Sequence, residues 1–130
     1  MVIDSSAVIA ILFDEPEAEA LLSQIAVAEV CRLSSASLVE IGIVLRRDAA
    51  GQRRAAFDEM LSLFAIKIES VTEAQAYLAL DAYDRFGKGT GHPAGPNYGD
   101  CFSYALARQT GEPLLFKGAD FTHTDLEAAC

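Results

Sequence analysis

The sequence predicts an α/β fold with a mainly parallel central sheet flanked by helices. Short apolar runs alternate with longer stretches at helical spacing, the pattern of parallel strands joined by helices. The opening run Met1-Val2-Ile3 is apolar on both faces, as a strand covered on both sides must be. Acids stand at or just past the carboxyl ends of two such runs, at Asp4 and Asp120, where α/β sheets build their sites.

Met1 to Asp4 reads as the first strand, and Ser5 and Ser6 can cap a helical turn over Ala7 to Phe13. Glu15 to Ala28 reads as a helix with Pro16 in its first turn, followed by a short strand around Cys31 to Ser34. Ser35 or Ser37 then opens a long helix to about Ala50, which Gly51 stops. Gln52 to Leu63 is a further helix, with Phe57, Met60, Leu61 and Phe64 at helical spacing. Ile66 to Val71 alternates like a strand, and Thr72 caps a helix reaching about Phe86. Gly87 to Gly99 is irregular. A helix from about Tyr98 to Thr110 closes on Gly111, Pro113 to Lys117 is a strand, and the tail is short and partly helical.

At 130 residues a single domain, 1–130, is expected, long enough to bury a core. No apolar run approaches the roughly 20 residues that span a membrane. Met1 to Phe13 carries Asp4 and neither Lys nor Arg, the reverse of a signal peptide, so a cytoplasmic protein is expected. Cys31, Cys101 and Cys130 are odd in number with no CxxC pair, and His92 and His123 are the two histidines. That set suits neither a zinc site nor a disulfide scaffold. The net charge of −9 argues against a general nucleic-acid binder, unless part of the acidity is cation ligand or a basic partner covers it.

Four carboxylates fit poorly as plain surface acids. Asp4 follows three apolar residues at a strand end, although a helix N-cap would also sit there. Glu40 lies in Leu38-Val39-Glu40-Ile41-Gly42-Ile43-Val44-Leu45, a helix apolar almost all round, where a carboxylate needs a cation or an ion pair such as Arg46 or Arg47. Asp100 opens a helix, as a capping acid does, and Asp120 follows the last strand, with Asp125 a turn further on. An α/β sheet brings strand ends together, so Asp4 and Asp120 would meet, with Glu40 and Asp100 supplied by adjoining helices. Gathered carboxylates repel, and a divalent cation removes that penalty. Oxygen ligands favour Mg²⁺ or Mn²⁺ over zinc, and such an ion can activate water against a phosphodiester.

Three stretches carry a resemblance: Met1-Val2-Ile3-Asp4-Ser5-Ser6-Ala7; Asn97-Tyr98-Gly99-Asp100-Cys101 leading into Tyr104-Ala105-Leu106-Ala107; and Pro113 to Gly118 with Asp120-Phe121 and Thr124-Asp125. In this order and at this length, the chain resembles the PIN-domain ribonuclease toxins of bacterial VapC-type toxin–antitoxin pairs. The resemblance implies a PIN-like three-layer fold. It implies an endoribonuclease dependent on Mg²⁺ or Mn²⁺, with Asp4, Glu40, Asp100 and Asp120 as catalytic acids and Asp4 and Asp100 as first metal ligands. Ser6 and Asp125 would support them. Structured RNA (tRNA or rRNA), a cognate antitoxin and a homodimer are the implied partners, and no membrane. The loop Gly87 to Gly99 departs from the family in its Gly-Thr-Gly stretch and Pro96. His92, His123 and Lys117 suit solvated positions better than RNA contacts.

Two other functions compete. A catalytically degenerate PIN module would only bind a partner or RNA. An aspartyl-phosphate phosphatase would use Asp4 as nucleophile but wants an Asp two residues on, where Ser6 stands. The helical middle, Ser35 to Phe64, has more apolar residues than one packed face needs: Val39, Ile43 and Val44 lie off the Leu38-Ile41-Leu45 stripe. A surface of that kind suits an antitoxin segment or a second copy of the chain.

Overall fold

The computed structural model describes residues 1–87, 89, 96–122 and 124–129. His92 and His123 lie outside them. Four short strands, β1 (Val2–Ile3), β2 (Arg32–Ser34), β3 (Lys67–Glu69) and β4 (Leu114–Leu115), form one sheet in the order β3-β2-β1-β4. Every pairing is parallel, so each strand's return path runs through a helix.

The two faces of the sheet bury different helices. Ile3, Leu33 and Leu115 look into a core with Val8 of α1 (Ser5–Leu12), Leu21 and Ile25 of α2 (Ala18–Val27), Ile41 and Leu45 of α3 (Ser35–Leu45), and Phe57 and Met60 of α4 (Gln52–Leu63). Val2 and Leu114 face the other way, onto Ala82 and Phe86 of α5 (Glu73–Phe86) and Tyr104 and Leu106 of α6 (Asp100–Thr110). Val2 and Ile3 are both fully buried, so no polar residue could alternate in β1, which gives the three-layer α/β/α sandwich.

Several boundaries differ from the sequence expectation. The helix expected to reach Ala50 ends at Leu45, because the amides of Arg46, Arg47 and Asp48 turn to carbonyls only three residues back. The Asp48 carboxylate instead accepts the Arg53 amide at 2.9 Å, bracing the start of α4. Gly51, expected to stop the earlier helix, has φ +71 and begins the next one. Asp4 itself caps α1, rather than Ser5 or Ser6, and α2 begins at Ala18, past Pro16. The described tail residues are not helical. They run as turns and then beside β4, where Leu114 donates to Glu127 and Ala129 donates back to Leu114, each at 2.9 Å. Thr72 caps α5 as expected.

The sheet's amino end is held by charge. Arg32 on β2 donates to Glu69 of β3 at 2.7 Å and to Glu112, ahead of β4, at 2.8 Å. Glu112 also receives the Met1 amino group at 2.7 Å. Burial alone would raise the Glu112 pKa, but the bonds from Met1 and Arg32 outweigh it and hold the carboxyl below its ordinary value. A carboxyl depressed in the folded state stabilises above its unfolded pKa and loses that contribution as pH falls through the folded value. Glu112→Gln should therefore cost about 1 kcal/mol at pH 7. In denaturant titrations the gap to the parent should close well below pH 4.5, and a gap unchanged with pH would show that the charge is not what matters.

Candidate functional site

At the sheet's opposite, carboxyl end the chain leaves β1 at Asp4, whose backbone is extended as an N-cap requires. The Asp4 side chain is 1 % exposed. One oxygen, Oδ2, accepts from the Ser6 amide at 3.0 Å. The other, Oδ1, accepts from the Ser103 hydroxyl of α6 at 2.6 Å, and Ser103 in turn lies 3.3 Å from the Ser37 hydroxyl of α3. Two serines buried between α3 and α6 thus orient an acid carried by β1.

Glu40 projects from α3 toward the same end. Its Oε1 accepts the Ser5 hydroxyl, and its Oε2 lies so close to Gly99 that a side chain there would have no room. The ion pair with Arg46 or Arg47 does not form among the described residues. Gly99 leads directly into Asp100, so α3 and the start of α6 meet at the Glu40 carboxylate.

Asp100 is the first residue of α6 and is 8 % exposed. It does not cap its own helix. Its Oδ2 accepts the Asn97 amide at 2.8 Å, and its amide donates to Asn97 Oδ1 at 3.0 Å, a reciprocal brace across the turn. Burial raises the Asp100 carboxyl to about 7; the Asn97 amide opposes this, and the charges of Asp4, Asp120 and Glu40 add to it. All three other acids are therefore close enough to Asp100 for their charge to be felt. Asp120 is exposed, in the turn beyond β4.

Ser6 joins α1 to the end of β4, its hydroxyl accepting the Lys117 amide at 3.0 Å. Asp125 has a different neighbourhood: it accepts the Tyr104 hydroxyl at 2.7 Å and lies 3.6 and 3.7 Å from Arg85 and Arg108. It ties the tail to α5 and α6. Lys117 is engaged by Glu15 and Glu17, which leaves it poorly placed for a phosphate.

Ser5, Ser37, Asn97 and Ser103 were not assigned to the site from the sequence. Two carried a usable signal: Asn97 stands three residues before Asp100, and Ser103 three after it, one helical turn along the same face. Ser5 and Ser37 read as ordinary helix starters.

The donors near Asp100 are oxygen atoms, which suits a hard divalent ion. The neighbouring Cys101 thiol is pushed up to about 11 by burial and by Asp100, so it offers no thiolate. Among the described residues, no three His, Cys, Asp or Glu side chains are drawn together tightly enough to hold an ion. Like charges in a shared cleft repel, and Asp4, Glu40 and Asp100 are each occupied by a hydroxyl or an amide instead.

This electrostatic strain has a measurable sign. An acid whose folded pKa is raised makes the native state take up a proton, so stability falls as pH rises from 3.8 to about 7 and is lowest above it. Asp100→Asn removes that dependence while its carboxamide oxygen can still accept from Asn97. In EDTA, the melting temperature of the variant should match or exceed the parent's at pH 8, with a smaller advantage at pH 5. A variant clearly less stable at pH 8 would mean that Asp100 serves mainly to brace the turn.

Comparison with known proteins agrees with this architecture. The PIN domain family model matches residues 1–127. Ribonuclease VapC28 of Mycobacterium tuberculosis is 53 % identical, over 99 % of this chain and 97 % of its own length. Ribonuclease VapC of Mycolicibacterium smegmatis is 47 % identical, over 98 % of each. Among solved structures, VapC20 of M. tuberculosis, described as a sarcin–ricin loop cleaving toxin, superposes with TM-score 0.75 at 17 % identity, covering 96 % of this chain and 95 % of that one. A toxin–antitoxin complex from Klebsiella pneumoniae gives TM-score 0.71 at 14 % identity, with 95 % and 92 % covered. The two structures speak for the fold, and the near-full-length sequence relatives for the family: this chain belongs to the PIN-domain family and, within it, to the VapC ribonucleases.

Proposed function

We propose that this chain hydrolyses phosphodiester bonds in structured RNA at Asp4, Glu40, Asp100 and Asp120, with Asp4 and Asp100 as the first ligands of Mg²⁺ or Mn²⁺. What chiefly supports this is the meeting of acids from β1, α3 and α6 at one end of the sheet: Ser5, next to Asp4, donates to Glu40, Glu40 lies against Gly99 next to Asp100, and the charges of Asp4, Asp120 and Glu40 add to the raised Asp100 carboxyl. A bound ion would supply an acidified water and positive charge beside the scissile phosphate. The protein's own groups hold the acids for it. Ser103 and the Ser6 amide fix both oxygens of Asp4. Ser5 holds Glu40, and Asn97 holds Asp100. Asp120, exposed in the turn beyond β4, is the one of the four acids most open to an incoming strand. Ser6 ties the cap of α1 to the end of β4, a supporting role; Asp125 supports at longer range, by fixing Tyr104 on α6.

The relative described as cleaving the sarcin–ricin loop makes rRNA a natural first substrate to try, with tRNA beside it. A small basic antitoxin accounts for the −9 charge and for exposed Val39 and Ile43 on α3, 60 % and 61 % accessible. Val44, expected beside them, is half-buried. An Arg or Lys from the antitoxin, reaching the Asp4–Asp100 pair, would neutralise the acids and block RNA. The same surfaces would also serve a homodimer. For location, no helix among the described residues is long and apolar enough to cross a membrane, consistent with a cytoplasmic toxin.

Antitoxin-free protein should cut rRNA or tRNA with Mg²⁺ or Mn²⁺ and stop in EDTA. Asp4→Asn and Asp100→Asn should each lower the rate by at least about a hundredfold, and Ser103→Ala by about tenfold or more. Undiminished cleavage in EDTA, or full activity in both Asp variants, would overturn the proposal.

A further inference from the structure

Where this acidic protein keeps its free positive charge bears on how it would hold RNA. Four of the nine described Lys and Arg side chains are neutralised by carboxylates away from the corner between α3 and α4: Arg32 by Glu69 and Glu112, Arg85 and Arg108 by Asp125, Lys117 by Glu15 and Glu17. That corner is the exception. It carries Arg46, Arg47, Arg53 and Arg54 within nine residues, four of the chain's ten Lys and Arg. Arg46 and Arg47 are exposed and make no ion pair among the described residues. Arg53 is anchored, donating to the Leu12 carbonyl at 3.1 Å with its guanidinium 4.2 Å from the Phe13 ring centre. Arg54 keeps an exposed 3.4 Å pair with Asp58, and its guanidinium lies 3.6 Å from where a Gly42 side chain would begin, so it leans against α3. Lys67, also unpaired, stands apart on edge strand β3.

The corner continues the helix that carries Glu40. Arg46 and Arg47 form the turn directly past Leu45, six and seven residues beyond Glu40, which puts that turn about 10 Å from Glu40 along the helix axis. Exposed Ile43 lies between them, three residues from Glu40. A strand with its scissile phosphate at the acids would lay a neighbouring phosphate along α3 toward these arginines. The arginine corner itself would repel a basic antitoxin segment seated further back on α3, while a polyanion is drawn to it.

We propose that Arg46 and Arg47, with Arg54 beside them, form a phosphate-binding site for the RNA strand flanking the cleaved bond. The site serves the ribonuclease reading above and rests on it. Arginines at the end of α3 also complement its dipole, and that role would move stability rather than RNA binding. The test uses the RNA cut by the parent protein, made as a synthetic oligonucleotide, and follows cleavage across a salt series. Arg46→Gln/Arg47→Gln should raise KM about tenfold with kcat nearly unchanged. It should also flatten the slope of log(kcat/KM) against log salt by about 1.4, roughly 0.7 for each lost phosphate contact on a single strand. Arg46→Lys/Arg47→Lys should restore most of the slope. Parent-like KM and slope in the Gln variant, or a change in melting temperature alone, would overturn the site. A parent that cleaves no RNA would overturn the ribonuclease reading and this site with it.

Discussion

A carboxylate that is 1 % exposed has lost nearly all its water, and something must stand in for it. At Asp4 the substitutes are a backbone amide and a buried hydroxyl. Much of the molecule answers to that demand. β1 can be apolar throughout because its polar duty is deferred to the residue after it. α3 and α6 approach closely enough for the small hydroxyl side chains of Ser37 and Ser103 to meet at 3.3 Å. Gly99 is held to a hydrogen by the Glu40 carboxylate behind it. The same crowding leaves Asp100 with a proton near neutral pH, a group that would give up its proton to take a cation.

Charge is divided with some economy over the rest of the surface. Acids dominate, and among the described residues several cations are spent in structural pairs, at the sheet's amino end through Arg32 and along the tail through Arg85 and Arg108. A protein built this way attracts polyanions weakly over most of its area. Among the described residues its free positive charge gathers chiefly at a short basic corner, so selectivity falls to shape and to the acids rather than to a broad basic face.

The fold was legible because its cues are local and repeated: apolar runs of strand length, caps at Thr72 and Gly111, helical spacing through Phe57 and Met60. Boundaries set by competition were not. The end of α3 depends on whether Asp48 serves its own helix or the next, and the tail pairs with β4 through backbone groups that no side chain announces. Within the proposed site, the four acids stood out because burial of charge is costly wherever it occurs. The serines and Asn97 that hold them did not, since a hydroxyl in a helix's first turn reads as a cap whether or not it also reaches another helix. Asp125 stands further from the acids than its place after the last strand suggested: its contacts are Tyr104 of α6 and two arginines.

The central claim is that the uncompensated carboxylates around Asp100 form one cation site. Calorimetric titration of Mn²⁺ into antitoxin-free protein in the absence of RNA tests it most directly. The account predicts saturable binding that releases protons near pH 7, since Asp100 must be ionised to accept the metal, and that is lost in Asp4→Asn. Binding unaltered by Asp4→Asn, or no binding by the parent at millimolar Mn²⁺, would contradict it.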